Sequence, residues 1–333
     1  MSIFNEIRKR ESVIPLLLDE SFESPSESIT INGQKVEALS KSIFKITPQV
    51  INKEECFLYS CGIHGNETAP IEIVSDILIK ILNNKLHCQA PTLIIFGNLE
   101  AMRAQKRFID FNLNRLFNKD YEKHIDATEA KRAQELEEVV FNFREETQPL
   151  TLLHLDLHTA IKGSKHKRFA ICPVANTQTS EHINIFKAMN LDANIKKTTS
   201  SNTFSDFTSN MKNSHSYTLE LGKVMPFGEN NHEDFFDSRK TLEDLLSGNE
   251  CKSKEKELFN YITSKKIVKE NDTFKYLVDE NDDNFFLIPK NTDIYEQDGQ
   301  KVRYDKDTYM LFANSSVKRG QWAGILLERL ENL

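Results

Sequence analysis

Residues 56–70 read CFLYSCGIHGNETAP, an apolar run that ends at a glycine and continues into a histidine and a glutamate. The apolar run predicts a buried strand over 56–61, and the apolar spacing that follows predicts a helix over 69–82. His64 and Glu67 stand three residues apart in the loop between these elements. Both side chains can therefore reach one metal ion from a single turn, as in zinc sites that combine imidazole and carboxylate ligands.

Strand and helix patterns alternate through the rest of the first 250 residues. A hairpin with an Asn-Gly turn is predicted over 28–36. Further strands are predicted at 92–97, 151–158, 168–172 and 216–221. Helices are predicted at 127–146, 180–190, 203–212 and 233–246. The alternation predicts an α/β fold with a mixed, largely parallel sheet flanked by helices.

The pattern changes after Ser-Gly-Asn at residues 247–249. Short β-rich segments then follow one another, and turn sequences such as Asp298-Gly299 separate several of them. The 333 residues also exceed what one compact core usually holds. We therefore expect a catalytic α/β domain over residues 1–250 and a smaller all-β domain over residues 251–333.

The composition is that of a globular protein, with 39% hydrophobic and 28% charged residues. No apolar stretch approaches the roughly 20 residues of a membrane-spanning helix, and residues 1–11 lack the apolar core of an export signal. The net charge of −7 disfavours a nucleic-acid partner. We expect a cytoplasmic protein without nucleic-acid or membrane partners; a homo-oligomer is compatible with the sequence.

His158 is the best candidate for a third metal ligand. It closes the alternating run 151–158, in which it shares one face with Asp156, and it lies at the carboxyl end of the predicted strand. Open α/β sheets build their sites at that end. With His64 and Glu67 it gives the three protein ligands of a catalytic zinc ion. Asp156 is placed to accept the proton on the second nitrogen of a zinc-bound imidazole.

Glu220 is the candidate for a catalytic base. It stands between two leucines at the end of the predicted strand 216–221. A carboxylate in such a setting is poorly solvated, which raises its pKa toward the range useful for proton transfer. A zinc hydrolase needs a base of this kind to activate the metal-bound water.

Fixed positive charge is supplied by the segment 106–117. Arg107 and Arg115 are candidates to stabilise an oxyanion and to bind a substrate carboxylate, because a guanidinium group can hold a carboxylate through two parallel hydrogen bonds. Asn114 lies beside Arg115 and is a further candidate for the same task. The expected substrate is accordingly a small acidic molecule.

Four stretches, taken together and in this order, resemble the succinylglutamate desuccinylase and aspartoacylase family of the zinc carboxypeptidase-like superfamily. They are residues 62–70, 107–117, 156–164 and 218–230. The resemblance extends from about residue 50 to the Gly-Gln-Trp-Ala-Gly stretch at 320–324.

The resemblance implies a carboxypeptidase-like α/β domain followed by a smaller β domain near the mouth of the active site. It also implies zinc-dependent removal of the succinyl group from N-succinyl-L-glutamate, which yields succinate and L-glutamate in the last step of arginine catabolism by the succinyltransferase pathway. By motif position, His64, Glu67 and His158 would bind one zinc ion per subunit.

The same motif positions imply the remaining roles. Glu220 would serve as catalytic base and then as acid, and Arg107 would stabilise the oxyanion. Asn114 and Arg115 would hold a substrate carboxylate.

Other substrates remain open at this point. Deacylation of another N-acyl acidic amino acid, such as N-acetylaspartate, would use the same zinc site, and a peptidase is a weaker alternative. The stretches 159–164 and 221–228 are closer to the desuccinylase, so we favour N-succinylglutamate. A metabolite-binding protein without activity is disfavoured because both Glu220 and Arg107 are present.

Overall fold

A 13-stranded sheet runs from the N-terminal half of the chain into its C-terminal part. It is seen in a computed structural model, in which residues 2–24 and 26–331 are described. The helices of these residues are α1 (Ile3–Arg10), α2 (Ile14–Leu18), α3 (Thr68–Leu82), α4 (Leu99–Arg103), α5 (Thr128–Thr147), α6 (Ser180–Ala188), α7 (Phe204–Ser209) and α8 (Phe236–Ser247). Short 3₁₀ turns span Leu113–Arg115, Asp120–Lys123 and His232–Phe235.

The strands of the first 250 residues are β1 (Glu27–Ile31), β2 (Gln34–Ser40), β3 (Ile43–Thr47), β4 (Glu55–Cys61), β5 (Thr92–Phe96), β6 (Thr151–Ala160), β7 (Phe169–Cys172), β8 (Ala193–Lys196) and β9 (Ser214–Lys223). Those that follow are β10 (Phe259–Val268), β11 (Lys275–Tyr276), β12 (Phe286–Ile288), β13 (Asp293–Gln297), β14 (Gln300–Arg303), β15 (Thr308–Leu311) and β16 (Trp322–Arg329).

The large sheet is mixed, with parallel pairing at its centre. Its strand order is β1-β2-β3-β5-β4-β6-β9-β7-β8-β10-β16-β15-β12. Strand β4 pairs in parallel with β5 and β6, and β6 pairs in parallel with β9. The carboxyl ends of β4, β6 and β9 therefore meet at one edge, as expected where open α/β sheets build their sites. The predicted α/β class is confirmed.

Helices cover both faces of the central strands. On β4, Phe57 and Tyr59 pack in one apolar cluster with Val74 of α3, whereas Leu58 packs in another cluster with Leu136 of α5. Alternate residues of a strand face opposite sides, so a strand covered on both sides must be apolar throughout. This two-sided burial explains the continuous apolar run that the sequence shows here.

The C-terminal part continues the same sheet. Strand β10 pairs in parallel with β8, and β16, β15 and β12 then add in antiparallel order. Strands β11, β13 and β14 form a separate three-stranded sheet. Among the described residues beyond 250, strands are assigned and helices are not. This confirms the predicted all-β character of the region. The sequence did not indicate that its first strand joins the sheet of the α/β part.

None of the helices described in residues 2–24 and 26–331 has the length and hydrophobicity that a membrane span requires.

Candidate active site

The loop between β4 and α3 carries two of the predicted metal ligands. Gly62 has a φ of +65°, a left-handed conformation that favours glycine. Gly65 packs so closely on α4 that a Cβ atom would lie 2.1 Å from the carbonyl carbon of Ala101. The N–H of Gly65 donates to the carbonyl of Arg107 at 3.2 Å. The two glycines thus allow a tight loop. The segment that contains Arg107 packs beside this loop.

His64, Glu67 and His158 meet at one point, because one ligand atom from each lies within 4.8 Å of the others. Oε1 of Glu67 lies 2.8 Å from Nδ1 of His64, and Oε2 lies 2.9 Å from Nδ1 of His158. All three side chains are buried. The residues predicted as metal ligands thus form a group that could hold a metal ion.

Each of the two histidines also contacts an oxygen atom through Nε2, the ring nitrogen that does not face Glu67. Nε2 of His158 lies 2.9 Å from Oδ2 of Asp156, and Nε2 of His64 lies 3.0 Å from Oδ1 of Asn112. When Nε2–H donates to these oxygens, Nδ1 is left to bind a cation, as is usual for metal-binding histidines. The sequence predicted Asp156 in this role from its spacing, but did not single out Asn112.

The charge and protonation of the group fit a divalent cation. Burial lowers the pKa of His64 to about 4, so its ring is neutral at pH 7. Its Nδ1 is buried and has no hydrogen-bond partner among the described residues, although it adjoins a carboxylate oxygen. Burial opposes the ionisation of Glu67, but His64, His158 and Arg107 outweigh it and hold the pKa of Glu67 well below its usual value. Two imidazole nitrogens and a carboxylate are a common donor set for catalytic zinc.

His158 lies between two carboxylates. Burial lowers its pKa, but Asp156 and Glu67 outweigh that effect and raise the pKa well above its usual value. Either a second ring proton or a metal ion can supply positive charge between Nδ1 of His158 and the Glu67 carboxylate. Metal binding to such a ring therefore releases a proton.

Arg107 adjoins the group from the side of the solvent. Its Nη1 donates to Oε1 of Glu67 at 2.6 Å, while a third of the side chain remains exposed. A guanidinium group has five N–H donors in a rigid fork, so donors remain for a ligand. The sequence-predicted cation is thus in direct contact with a predicted metal ligand.

Glu220 lies on β9 directly across from His158 on β6. It is buried, and its Oε2 has no hydrogen-bond partner in the described part of the chain. Burial, followed by the negative charge of Glu67, raises the pKa of Glu220 to about 7. A carboxyl group with this pKa can both accept and release a proton near neutral pH.

Asn114 and Arg115 belong to a 3₁₀ turn that begins beside the group. Oδ1 of Asn112, which contacts His64, also accepts the N–H of Asn114 at 3.0 Å. Oδ1 of Asn114 in turn accepts the N–H of Phe204 at 2.9 Å, so this oxygen is already used. Arg115 donates to the carbonyl of Asn114 at 2.7 Å. Burial and then Arg107 lower the pKa of Arg115 to about 10, so the guanidinium still carries its charge at pH 7.

Glu129 is a buried residue that the sequence analysis missed. Its carboxylate accepts the backbone N–H groups of Ile109, Asp110 and Phe111 and the side-chain amide of Asn98. It therefore holds the segment that leads from Arg107 to the 3₁₀ turn. The sequence gives no clear signal for this role, because Glu129 is the second residue of α5 and acidic residues are common in the first turn of a helix.

Two domain patterns from known proteins match the sequence. The Succinylglutamate desuccinylase/Aspartoacylase catalytic domain matches residues 55–246, and the AstE/AspA barrel-sandwich hybrid domain matches residues 256–330. The chain belongs to the succinylglutamate desuccinylase/aspartoacylase family. The resemblance inferred from the four sequence stretches is thereby confirmed, and the chain is a hydrolase of this family.

Members of the family are similar to this chain over nearly its whole length. Succinylglutamate desuccinylase of Yersinia enterocolitica is 35% identical over 297 residues, which are 88% of this chain and 89% of the relative. The crystal structure of succinylglutamate desuccinylase from Chromobacterium violaceum is 32% identical, with a TM-score of 0.83, and covers 96% of this chain and 98% of its own. The crystal structure of the enzyme from Vibrio parahaemolyticus is 27% identical, with a TM-score of 0.89. The match covers 97% of this chain and 96% of that structure's chain.

Proposed function

We propose that the chain hydrolyses N-succinyl-L-glutamate to succinate and L-glutamate, with one zinc ion held by His64, Glu67 and His158. The observation that carries the proposal is the convergence of these three buried ligand atoms within 4.8 Å. The desuccinylase relatives, which match about nine-tenths of the chain, support the choice of substrate.

The donor set supports zinc. Two imidazole nitrogens and one carboxylate leave a fourth coordination position for water or substrate. When bound, zinc supplies Lewis-acid chemistry, which lowers the pKa of a water molecule and polarises a carbonyl group. Asp156 and Asn112 keep the imidazoles oriented for this task, because each binds the ring nitrogen that faces away from the centre.

Glu220 acts as the base and then as the acid. Its raised pKa and its unpartnered Oε2 support a carboxylate that takes a proton from the attacking water. Attack of that water on the succinyl amide carbonyl makes a tetrahedral intermediate. The carboxyl group then returns the proton to the amide nitrogen, which leaves as the amino group of glutamate.

Arg107 stabilises the negative charge that develops on the carbonyl oxygen. Its contact with Glu67 fixes one edge of the guanidinium group beside the centre, and the exposed remainder supplies donors to the oxyanion. Asn114 and Arg115 bind a carboxylate of the substrate. Arg115 supports this role best, because it is charged and forms no salt bridge within residues 2–24 and 26–331.

The test measures succinate released from N-succinylglutamate and acetate released from N-acetylaspartate, before and after removal of metal by a chelator. The proposal expects succinate release to be faster by at least tenfold in kcat/KM, to stop with chelator and to return with zinc. Faster deacetylation would identify an aspartoacylase-like enzyme instead. No release from either substrate by the zinc-loaded protein would contradict the proposal.

A further inference from the structure

Two cations lie over one tryptophan next to the candidate active site, and a third, Lys197, lies near one of them. The guanidinium carbon of Arg115 lies 4.7 Å from the ring centre of Trp322, and Nζ of Lys266 lies 4.0 Å from the same ring. Lys197 is close enough to lower the pKa of Lys266 further. Arg115 comes from the α/β part, whereas Lys266 and Trp322 lie on paired strands, β10 and β16, of the C-terminal part.

The positive charge of this cluster is not balanced. Asp206 is the carboxylate within reach, and Lys197 already pairs with it. Neither Arg115 nor Lys266 forms a salt bridge with any residue the structure describes; Lys266 donates to the carbonyl of Ser200 at 2.8 Å. Burial, then Lys197 and Arg115, lower the pKa of Lys266 to about 8, against the opposing effect of Asp206. A partly buried cation with cationic neighbours is stabilised by a bound anion.

Two connections join the cluster of Arg115, Lys266 and Trp322 to the candidate active site. Asn112 contacts the predicted ligand His64 and begins the 3₁₀ turn that ends at Arg115. Arg107, which contacts Glu67, is also close enough to lower the pKa of Arg115. The turn at residues 112–115 thus connects the predicted metal ligands with the tryptophan.

We propose that Lys266 and Trp322 complete, together with Arg115, a subsite for a substrate carboxylate remote from the scissile amide. Lys266 adds a second donor to the carboxylate, and the indole ring holds both cations in position through cation–π contact. The C-terminal part thereby contributes to substrate specificity. It favours acyl amino acids that carry a carboxylate remote from the scissile amide over those that lack one. The ligand class, a carboxylate of an N-acyl amino dicarboxylate, rests on the proposed function.

Trp322 offers a direct signal, because it is the only tryptophan of the 333 residues. The zinc-loaded full chain is titrated with succinate and with glutamate while indole emission is recorded, and each titration is repeated with the matching amide, succinamate or glutamine. We expect a saturable change with at least one dicarboxylate, and binding roughly tenfold weaker for its amide, as for loss of a charged hydrogen bond. Which acid responds tells which carboxylate occupies the subsite.

The variant Lys266→Met keeps the apolar stem and removes the charge. It should bind the responding dicarboxylate roughly tenfold more weakly, whereas its affinity for the amide should change little. Lys265→Met is the matched control, since Lys265 is the exposed neighbour on the same strand and the change in net charge is equal. Lys266→Arg should recover much of the affinity, which distinguishes a lost charge from a folding defect.

The proposal is overturned if no dicarboxylate alters the emission, if Lys266→Met binds dicarboxylate like the unmodified chain, or if it weakens acid and amide equally. It is also overturned if Lys265→Met has the same effect. Because emission requires no turnover, a chain that binds dicarboxylates in this way yet leaves N-succinylglutamate intact would contradict the proposed function and leave the subsite standing.

Discussion

Nε2 of His158 lies 2.9 Å from Oδ2 of Asp156, two residues earlier on the same strand. The other oxygen of Asp156 accepts the hydroxyl of Ser60 at 2.5 Å, and that hydroxyl also contacts His154 at 2.7 Å. His154 in turn contacts Thr208 of α7 at 2.7 Å. All five side chains are buried. The orientation of one predicted metal ligand is therefore fixed by a hydrogen-bonded chain that crosses the sheet and reaches a helix.

The substitution Asp156→Asn should weaken zinc binding by roughly 10- to 100-fold, because loss of the carboxylate behind a metal-binding histidine has effects of this size. Competition with a zinc-chelating dye measures the affinity. Asp244→Asn, at a distant carboxylate of α8 that pairs with Lys240, is the control. Unchanged zinc affinity in Asp156→Asn would mean that this hydrogen bond does not support the metal.

The substitution Glu129→Ala should lower the free energy of unfolding by about 3 kcal/mol, because it leaves buried N–H groups without an acceptor. The carboxylate accepts from three successive backbone N–H groups, those of residues 109–111, so the substitution should also reduce activity by loosening the segment after Arg107. Urea unfolding measures the first effect. Glu138→Ala, on an exposed face of the same helix, should cost less than about 1 kcal/mol; equal losses in both variants would contradict the assigned role.

His182 should make stability fall in mild acid. Burial, and then the neighbouring His215, lower its pKa from 6.5 to about 4. Between these values the unfolded chain binds a proton that the folded chain excludes, so the contribution of neutral His182 is complete above about pH 6.5 and is lost as the pH falls toward 4.

The variant His182→Gln isolates this effect. Nδ1 of His182 accepts the N–H of Thr179 in a capping box at the start of α6, and glutamine can replace it there. Between pH 7 and pH 4.5, urea unfolding should show a smaller loss of stability in the variant than in the unmodified chain. Equal losses would exclude His182 as a source of the acid sensitivity.

The parts of the fold that the sequence predicted are those with strong hydrophobic periodicity. Strand β4 and helix α3 were expected within one residue of their observed bounds, because both are buried over most of their length. Strand β8 was missed; its four residues, Ala-Asn-Ile-Lys, are too few and too polar to form a pattern, and pairing with β7 and β10 holds them extended. Three elements of the first fifty residues, α1, α2 and β3, were also missed; they have eight, five and five residues, and no turn sequence of the kind that marks the hairpin sets them apart.

The sequence could predict a site residue where a side chain suited to the chemistry stood at or just after the end of a predicted strand. His64 and Glu67 follow β4, and His158 lies near the carboxyl end of the neighbouring parallel strand β6, so their convergence could be expected from the topology. Asn112 and Glu129 act through hydrogen bonds between segments distant in sequence, and neither residue type alone indicates that role. The contact between Arg115 and Trp322 depends on β10 joining the main sheet, which no local pattern reveals.

Glu220 is proposed to transfer protons at a metal centre formed by His64, Glu67 and His158. The substitution Glu220→Gln preserves the shape of the side chain and removes its basicity. Loss of a general base typically costs 10²- to 10⁴-fold in rate. Glu250→Gln, at an exposed position after α8, is the control for the change in charge.

The most direct measurement is succinate release from N-succinylglutamate by zinc-loaded Glu220→Gln, with bound zinc determined on the same sample. We expect one zinc ion per chain, as in the unmodified protein, together with a kcat reduced by at least about 100-fold and full activity in Glu250→Gln. A zinc-loaded Glu220→Gln variant that releases succinate at the rate of the unmodified chain would exclude Glu220 as the proton-transfer group.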